Sequence, residues 1–168
     1  MSSVRQATKP GRTSFHRSAR LLNPTDFKRV FSKNVVSSDR FFKVLGRPNN
    51  SACSRLGMAV SRQIDKRAVG RNRIKRVIRE SFRHSSKRQM EPGTETAGEG
   101  TLIKSDTGVD LVVLPRRECA SICNRQLFRS LDKHWLRITQ ALEQRKERSE
   151  QNTARAGEYR TKQDAGTI

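Results

Sequence analysis

The chain has 168 residues, a length that suits one domain. It is only 33% hydrophobic and carries 36 Lys plus Arg against 16 Asp plus Glu, a formal net charge of +20. The core must be small, no run of 18 or more apolar residues exists to span a membrane, and such self-repulsion calls for an anionic partner: nucleic acid, an anionic membrane surface or an acidic protein.

Residues 1–14 read as a disordered basic arm. They lack the apolar segment of a secretory signal, and their acid-free, Ser/Thr-containing character only weakly resembles an organelle transit peptide. The stretch "LLNPTDFKRVF" then predicts a helix. Asn23 stands at the N-cap position, Pro24 at the first helical position and Asp26 in the first turn. Leu22 and Phe27 hold the positions of a hydrophobic staple. Phe27 and Phe31, four apart, share a face.

Residues 35–47, "VVSSDRFFKVLGR", are β-branched and aromatic and predict one or two strands. The loop "RPNNSACS" follows. "RLGMAVSR", residues 55–62, alternates: Leu56, Met58 and Val60 point toward a core, while Gly57, Ala59 and Ser61 form a shallow face open to a helix or a ligand chain. Asp65 is a candidate N-cap for a helix running to about Arg83, with Gly70 costing about 1 kcal/mol relative to Ala. Residues 85–108 lack any period and read as a long mobile loop. "VDLVVLP", residues 109–115, is a nearly continuous apolar run that suits a buried strand. A last helix is expected from about Asn124 to the mid-140s, with Leu127, Leu131, Trp135, Ile138 and Leu142 on one stripe. Residues 147–168 are polar and expected to be disordered. The fold class is α+β: a single α/β sandwich, residues 15–146, in which a four-stranded sheet packs with three helices in the order α-β-β-β-α-β-α.

Chemistry-bearing motifs are sparse. Cys53, Cys119 and Cys123 are odd in number, which suits reduced thiols and a cytoplasmic setting. No second Cys or His pair accompanies Cys119 and Cys123, so no metal site is expected. His16, His84 and His134 are scattered, and no nucleophile elbow, phosphate-binding glycine loop or HExxH motif is present. No catalytic residue is expected in this chain.

The densest charge lies in "RNRIKRVIRESFR", residues 71–83. On a helical wheel at about 100° per residue, Ile74, Val77, Ile78, Ser81 and Phe82 share one arc. Arg71, Asn72, Lys75, Arg76, Arg79 and Arg83 share another, and Arg73 stands apart near 200°. Solvated helix faces mix signs; here Lys75, Arg79 and Arg83 repel one another at i,i+4 spacing. Arginine also outnumbers lysine five to one over 71–83, and its guanidinium fork matches phosphate. The stretch therefore reads as a polyanion-binding face, against the plainer reading of a solvated one.

"GRNRIKRVIRESFR" resembles the signature helix of the protein subunit of bacterial ribonuclease P. "RLLNPTDFKRVF", "VLGR…RLGMAVSR", "VDLVVLPR" and "NRQLFRSLDKHWLR" are similar to that family's first helix, central strands, last strand and closing helix. The resemblance covers about Phe15 to Arg137. It implies a left-handed β-α-β crossover and a role as protein partner of a catalytic RNA that removes the 5′ leader from precursor tRNA with Mg2+ bound mainly by the RNA. It further implies that Arg71, Asn72, Arg73, Lys75, Arg76 and Arg79 dock on the catalytic RNA. A cleft between the first helix and the sheet, with Phe27, Phe31, Phe42 and Leu45, would take the precursor leader. An aromatic i,i+4 pair opposite a shallow sheet suits single-stranded RNA, although plain core packing of Phe27 and Phe31 is the competing reading. No membrane and no obligatory protein partner are implied. The alternatives are a ribosomal or assembly RNA-binding protein and a protein nuclease acting alone. Isolated Asp65 and Glu80 argue against the latter.

Overall fold

The computed structural model describes residues 15–164, except His16, Asn50, Ala52 and 88–107. The elements are α1 (Pro24–Ser32), β1 (Val35–Ser38), β2 (Phe42–Pro48), β3 (Arg55–Met58), α2 (Ala68–Lys87), β4 (Val109–Pro115) and α3 (Asn124–Asp164). Short 3-10 turns at Arg17–Ala19 and Arg117–Ala120 complete the path. This is the expected α+β order. The expected arm at 1–14 and most of the expected loop at 85–108 lie outside the described residues; residues 85–87 close α2.

The sheet runs β1-β2-β4-β3. β1 and β2 form an antiparallel pair, β2 and β4 another, and β3 lies parallel to β4 through α2. A two-residue period sorts the side chains between two faces. Phe42, Val44, Leu56, Leu111 and Val113 join Ile74 and Ile78 of α2 and Leu131, Trp135 and Ile138 of α3 in the main core. Leu45 and Val112 point the other way and meet Leu21 and Val30 of the α1 side. The molecule is thus three layers: α1, the sheet, and α2 with α3. β4 is covered on both faces, which explains its continuous apolar run.

The structure revises several local expectations. Asn23 has the extended backbone of an N-cap, but its side chain makes no capping bond. Leu22 is 54% exposed, so it staples nothing; Leu21, 5% exposed, is the residue that joins the cluster with Phe27. α2 begins at Ala68, three residues past Asp65, whose Oδ1 instead accepts from the Arg67 N–H at 2.8 Å. β3 ends at Met58, with one more sheet bond from Ala59 N–H to Val113 O. α3 does not stop in the mid-140s: it continues to Asp164, where disorder was expected. Beyond Leu142 it buries nothing through Thr153, so its support there is local. Glu, Gln, Arg and Lys are good helix formers, Lys146 pairs with Glu150 at 4.0 Å, and Thr153 Oγ1 donates to Ser149 O.

Candidate nucleic-acid interface

α2 is anchored by the five residues of its apolar arc. Ile74, Val77, Ile78, Ser81 and Phe82 are all buried, and Ser81 is there because Trp135 Nε1–H donates to its hydroxyl at 2.9 Å. That anchoring fixes which way the opposite arc points. Asn72 and Arg76 are exposed and Lys75 and Arg79 half-buried. Among the described residues, none of the three cations has a hydrogen bond or ion pair. Arg71 is half-committed, its Nη1 donating to Asp65 O at 3.0 Å and Lys66 O at 2.8 Å. Arg83 is relieved by Glu80, its i,i+3 partner, so the unrelieved repulsion expected along Lys75, Arg79 and Arg83 stops short of Arg83.

Arg73 is placed differently from the other motif cations. Its guanidinium turns into the protein. Nη1 donates to Ile122 O (2.9 Å) and Asn124 Oδ1 (3.1 Å); Nη2 donates to Cys119 O (2.7 Å) and Ala120 O (3.2 Å). One side chain thereby collects the carbonyls of the second 3-10 turn and ties α2 to the start of α3. This inward commitment sets Arg73 apart from the other residues for which the resemblance implies docking on the catalytic RNA. The wheel held the signal: at 200° Arg73 lies outside the cationic arc, on the flank where His84 meets Phe128 of α3 edge to face.

The α1 side forms the second surface. Phe27 rests against the sheet, and a Cβ at Gly57 would lie 2.8 Å from its ring. The small-residue face of β3 is therefore where a helix lies close, as one of its two readings held. Phe31 is 49% exposed, one turn further along. Val36 of β1 pairs with Leu45 of β2, so both project to the α1 side; Leu45 is covered, while Val36 is 51% exposed. Phe31 and Val36 thus leave apolar surface open beside α1, with Lys43 exposed nearby on the same face of β2. Phe42 does not belong to this cleft. It is three residues from Leu45, an odd number, so it points to the opposite face, fully buried and edge-on to His134.

Two buried polar clusters fix these surfaces. Arg55 of β3 grips Asp110 of β4 with two bonds, Nε to Oδ1 at 2.8 Å and Nη2 to Oδ2 at 2.7 Å. It also reaches Asp26 of α1 at 3.3 Å, and Asn49 Nδ2 donates to Asp110 at 2.6 Å. The bonds to Asp110, with both carboxylates' attraction, raise the Arg55 pKa despite desolvation. This network pins α1 to the sheet and was not legible in the sequence, because it depends on strand register.

The second cluster is Ser37, His134 and Asp39. Ser37 Oγ lies 2.7 Å from His134 Nδ1, and His134 Nε2 lies 3.2 Å from Asp39 Oδ2. The order suggests a nucleophilic triad, but Ser37 is 6% and His134 1% exposed, so no substrate reaches them. Burial lowers the His134 pKa, outweighing Asp39. Asp39 is held below its usual range: burial alone would raise it, but bonds from Ser130 and the Phe42 and Phe41 N–H groups prevail. Cys119, buried, donates its thiol to Phe41 O and is pushed up to about 11 by desolvation, which makes it an inert packing group. Among the described residues no group of three His, Cys, Asp or Glu side chains could hold a metal ion, and no helix is long and apolar enough to cross a membrane. What the surfaces offer is position and positive charge.

The likeness to known proteins agrees. The family model for Ribonuclease P matches residues 15–139. The ribonuclease P protein component of Methylococcus capsulatus is 43% identical over 125 residues, covering 74% of this chain and 84% of that protein. That of Nitrosococcus oceani is 39% identical over 122 residues, covering 73% and 88%. Among solved structures, the RNase P protein of Thermotoga maritima matches with a TM-score of 0.54 at 28% identity, over 71% of this chain and 96% of that one. The RNase P protein of Staphylococcus aureus matches with a TM-score of 0.54 at 26% identity, over 69% and 91%. By the span of the family match and the level of these identities, this chain belongs to the ribonuclease P protein family.

Proposed function

We propose that this protein is the RNA-binding subunit of a ribonuclease P whose catalytic centre lies in its RNA partner. It docks on that RNA through the polar face of α2 and meets the 5′ leader of precursor tRNA beside α1. The observation that carries this reading is a core-anchored helix whose outward face, Asn72, Lys75, Arg76 and Arg79, has three cations without a partner among the described residues. Neutralising phosphates releases counterions and stabilises the protein's own charge distribution. Arg71 contributes its uncommitted donors, and Arg73 serves as a clamp behind the face rather than as an RNA ligand. Phe31 and Val36, with Lys43 beside them, suit unstacked bases and their backbone. Phe27 and Leu45 support the floor of that cleft. Mg2+ is held mainly by the RNA, the protein works in the cytoplasm, and it needs no protein partner.

The test is reconstitution. The protein mixed with its catalytic RNA should restore leader cleavage at low Mg2+ that the RNA alone performs poorly. Cleavage by the protein without any RNA, or copurification of mainly ribosomal RNA from cells, would falsify the proposal. Replacing Phe31 by Ala should reduce preference for leader-bearing precursor over mature tRNA. Equal loss for both would return Phe31 to a packing role.

A further inference from the structure

Just ahead of α2 the surface hollows into a cavity of about 630 Å3 lined by Arg62, Gln63, Ile64, Asp65, Lys66 and Arg117. We infer that this cavity is a second RNA-backbone site, in which Arg62, Lys66 and Arg117 hold phosphodiesters of the RNA that crosses the α2 face. This inference rests on the reading above and assigns that RNA a longer path.

Four observations carry it. First, the cations come from two segments more than fifty residues apart, so folding itself brings them to one hollow. Gathering like charges is unfavourable unless an anion enters. Second, all three are exposed, and none of their side-chain cationic groups has a hydrogen bond or ion pair among the described residues. Asp65 is the one acid in the lining, leaving a net charge of +2 from three cations and one anion. Its carboxylate is turned to the backbone: Oδ1 accepts from the Arg67 N–H, and the group sits where a Cβ at Gly70 would be. That also gives Gly70 a reason inside a helix. Third, the far wall is held in place. Arg117 opens the 3-10 turn whose Cys119 and Ala120 carbonyls Arg73 grips. Fourth, the hollow is continuous with the α2 face, because Arg71 is tied to the Asp65 and Lys66 carbonyls at its rim. Its volume exceeds that of a single ion and suits a nucleotide-sized segment, and two of its three cations are guanidinium forks that match phosphate.

The experiment compares two triple variants of the full chain, Arg62→Ala/Lys66→Ala/Arg117→Ala and Lys75→Ala/Arg76→Ala/Arg79→Ala. Affinity is measured across a salt series for the transcribed RNA subunit, and for precursor tRNA on the assembled holoenzyme. Urea unfolding serves as a control for folding. The cavity variant should unfold like the parent and lose about two units of log–log salt slope, on roughly 0.7 per phosphate contact, in the RNA-subunit arm. A loss confined to the precursor arm would overturn the assignment to the RNA that crosses the α2 face. An unchanged slope in both arms, with the α2 variant still losing slope, overturns the cavity site and leaves the proposed function standing. Unchanged slopes for both variants overturn the proposed function as well. The charge-conserving double variant Arg62→Lys/Arg117→Lys should keep the slope; its loss would mean that charge is not what the cavity supplies.

Discussion

Two helices of this molecule carry long charged stretches, and they differ in kind. From Glu143 to Thr153 every residue of α3 is exposed, and the charges balance: Arg145, Lys146 and Arg148 against Glu143, Glu147 and Glu150. Signs mix at i,i+4, as in Lys146 with Glu150. Over residues 62–88 there are 11 Lys plus Arg and two acids, a net of 11 − 2 = +9. α2 buries one arc completely and leaves a near single-sign arc outside. The first is what a helix needs to be soluble. The second costs free energy for solubility alone, and so marks a surface shaped for an anion.

The sharpest way to break that contrast is to remove the α2 charges. Lys75→Ala/Arg76→Ala/Arg79→Ala should weaken binding of the RNA subunit on the order of 10²-fold at 0.1 M salt and lower the log–log salt slope by about two, from three contacts at roughly 0.7 each. Filter binding over a salt series reads both. Next in size is Arg73→Ala. Orphaning its carbonyl partners should cost about 2–3 kcal/mol of stability in urea unfolding, with little change in salt slope; a slope loss equal to that of Arg76→Ala would put Arg73 back on the RNA face. Asp110→Ala should cost roughly 1–2 kcal/mol, because it leaves Arg55 only its longer contact to Asp26, and that side chain is 28% exposed and so partly screened.

A smaller effect is expected with pH. The folded His134 pKa lies below 6.5, so the unfolded chain takes up a proton that the fold resists. Stability is full above about pH 7 and falls as pH drops below 6.5, by at most about 1.4 kcal/mol at one unit lower. Asp39, also lowered, acts in the same direction at lower pH. Unfolding midpoints at pH 7.5 and 5.5 should converge in His134→Gln. The smallest effect is reserved for α3: ending the chain after Arg148 should leave RNA affinity within about twofold and the salt slope unchanged, while circular dichroism loses the helical signal of the missing residues. A lost slope would show that balanced charge also binds.

What was legible follows from the range of the interactions. α2 could be read because its apolar and basic arcs are periodic within one helix, and even Arg73 announced itself by its angle. β4 could be read because a strand covered on both faces is apolar throughout. Phe42 was misplaced although alternation alone separates it from Leu45; sharing a strand was mistaken for sharing a face. The distal half of α3 looked disordered because burial was sought, whereas propensity and i,i+4 pairs sustain it. The Arg55 network and the cavity at Arg62 and Arg117 could not be read, since each joins residues whose proximity only the register and the 3-10 turn determine.

The sheet order has a consequence for synthesis. β4, the strand that pairs with both β2 and β3, is the last strand to leave the ribosome, and its partners lie more than fifty residues upstream. Until Pro115 has emerged, the β1–β2 hairpin and β3 have no common centre. α2 then has an apolar arc with no completed floor to cover and a cationic arc already complete. Non-local pairing of this kind is slow to form, so the basic segment of α2 is synthesised before the core that anchors it can close.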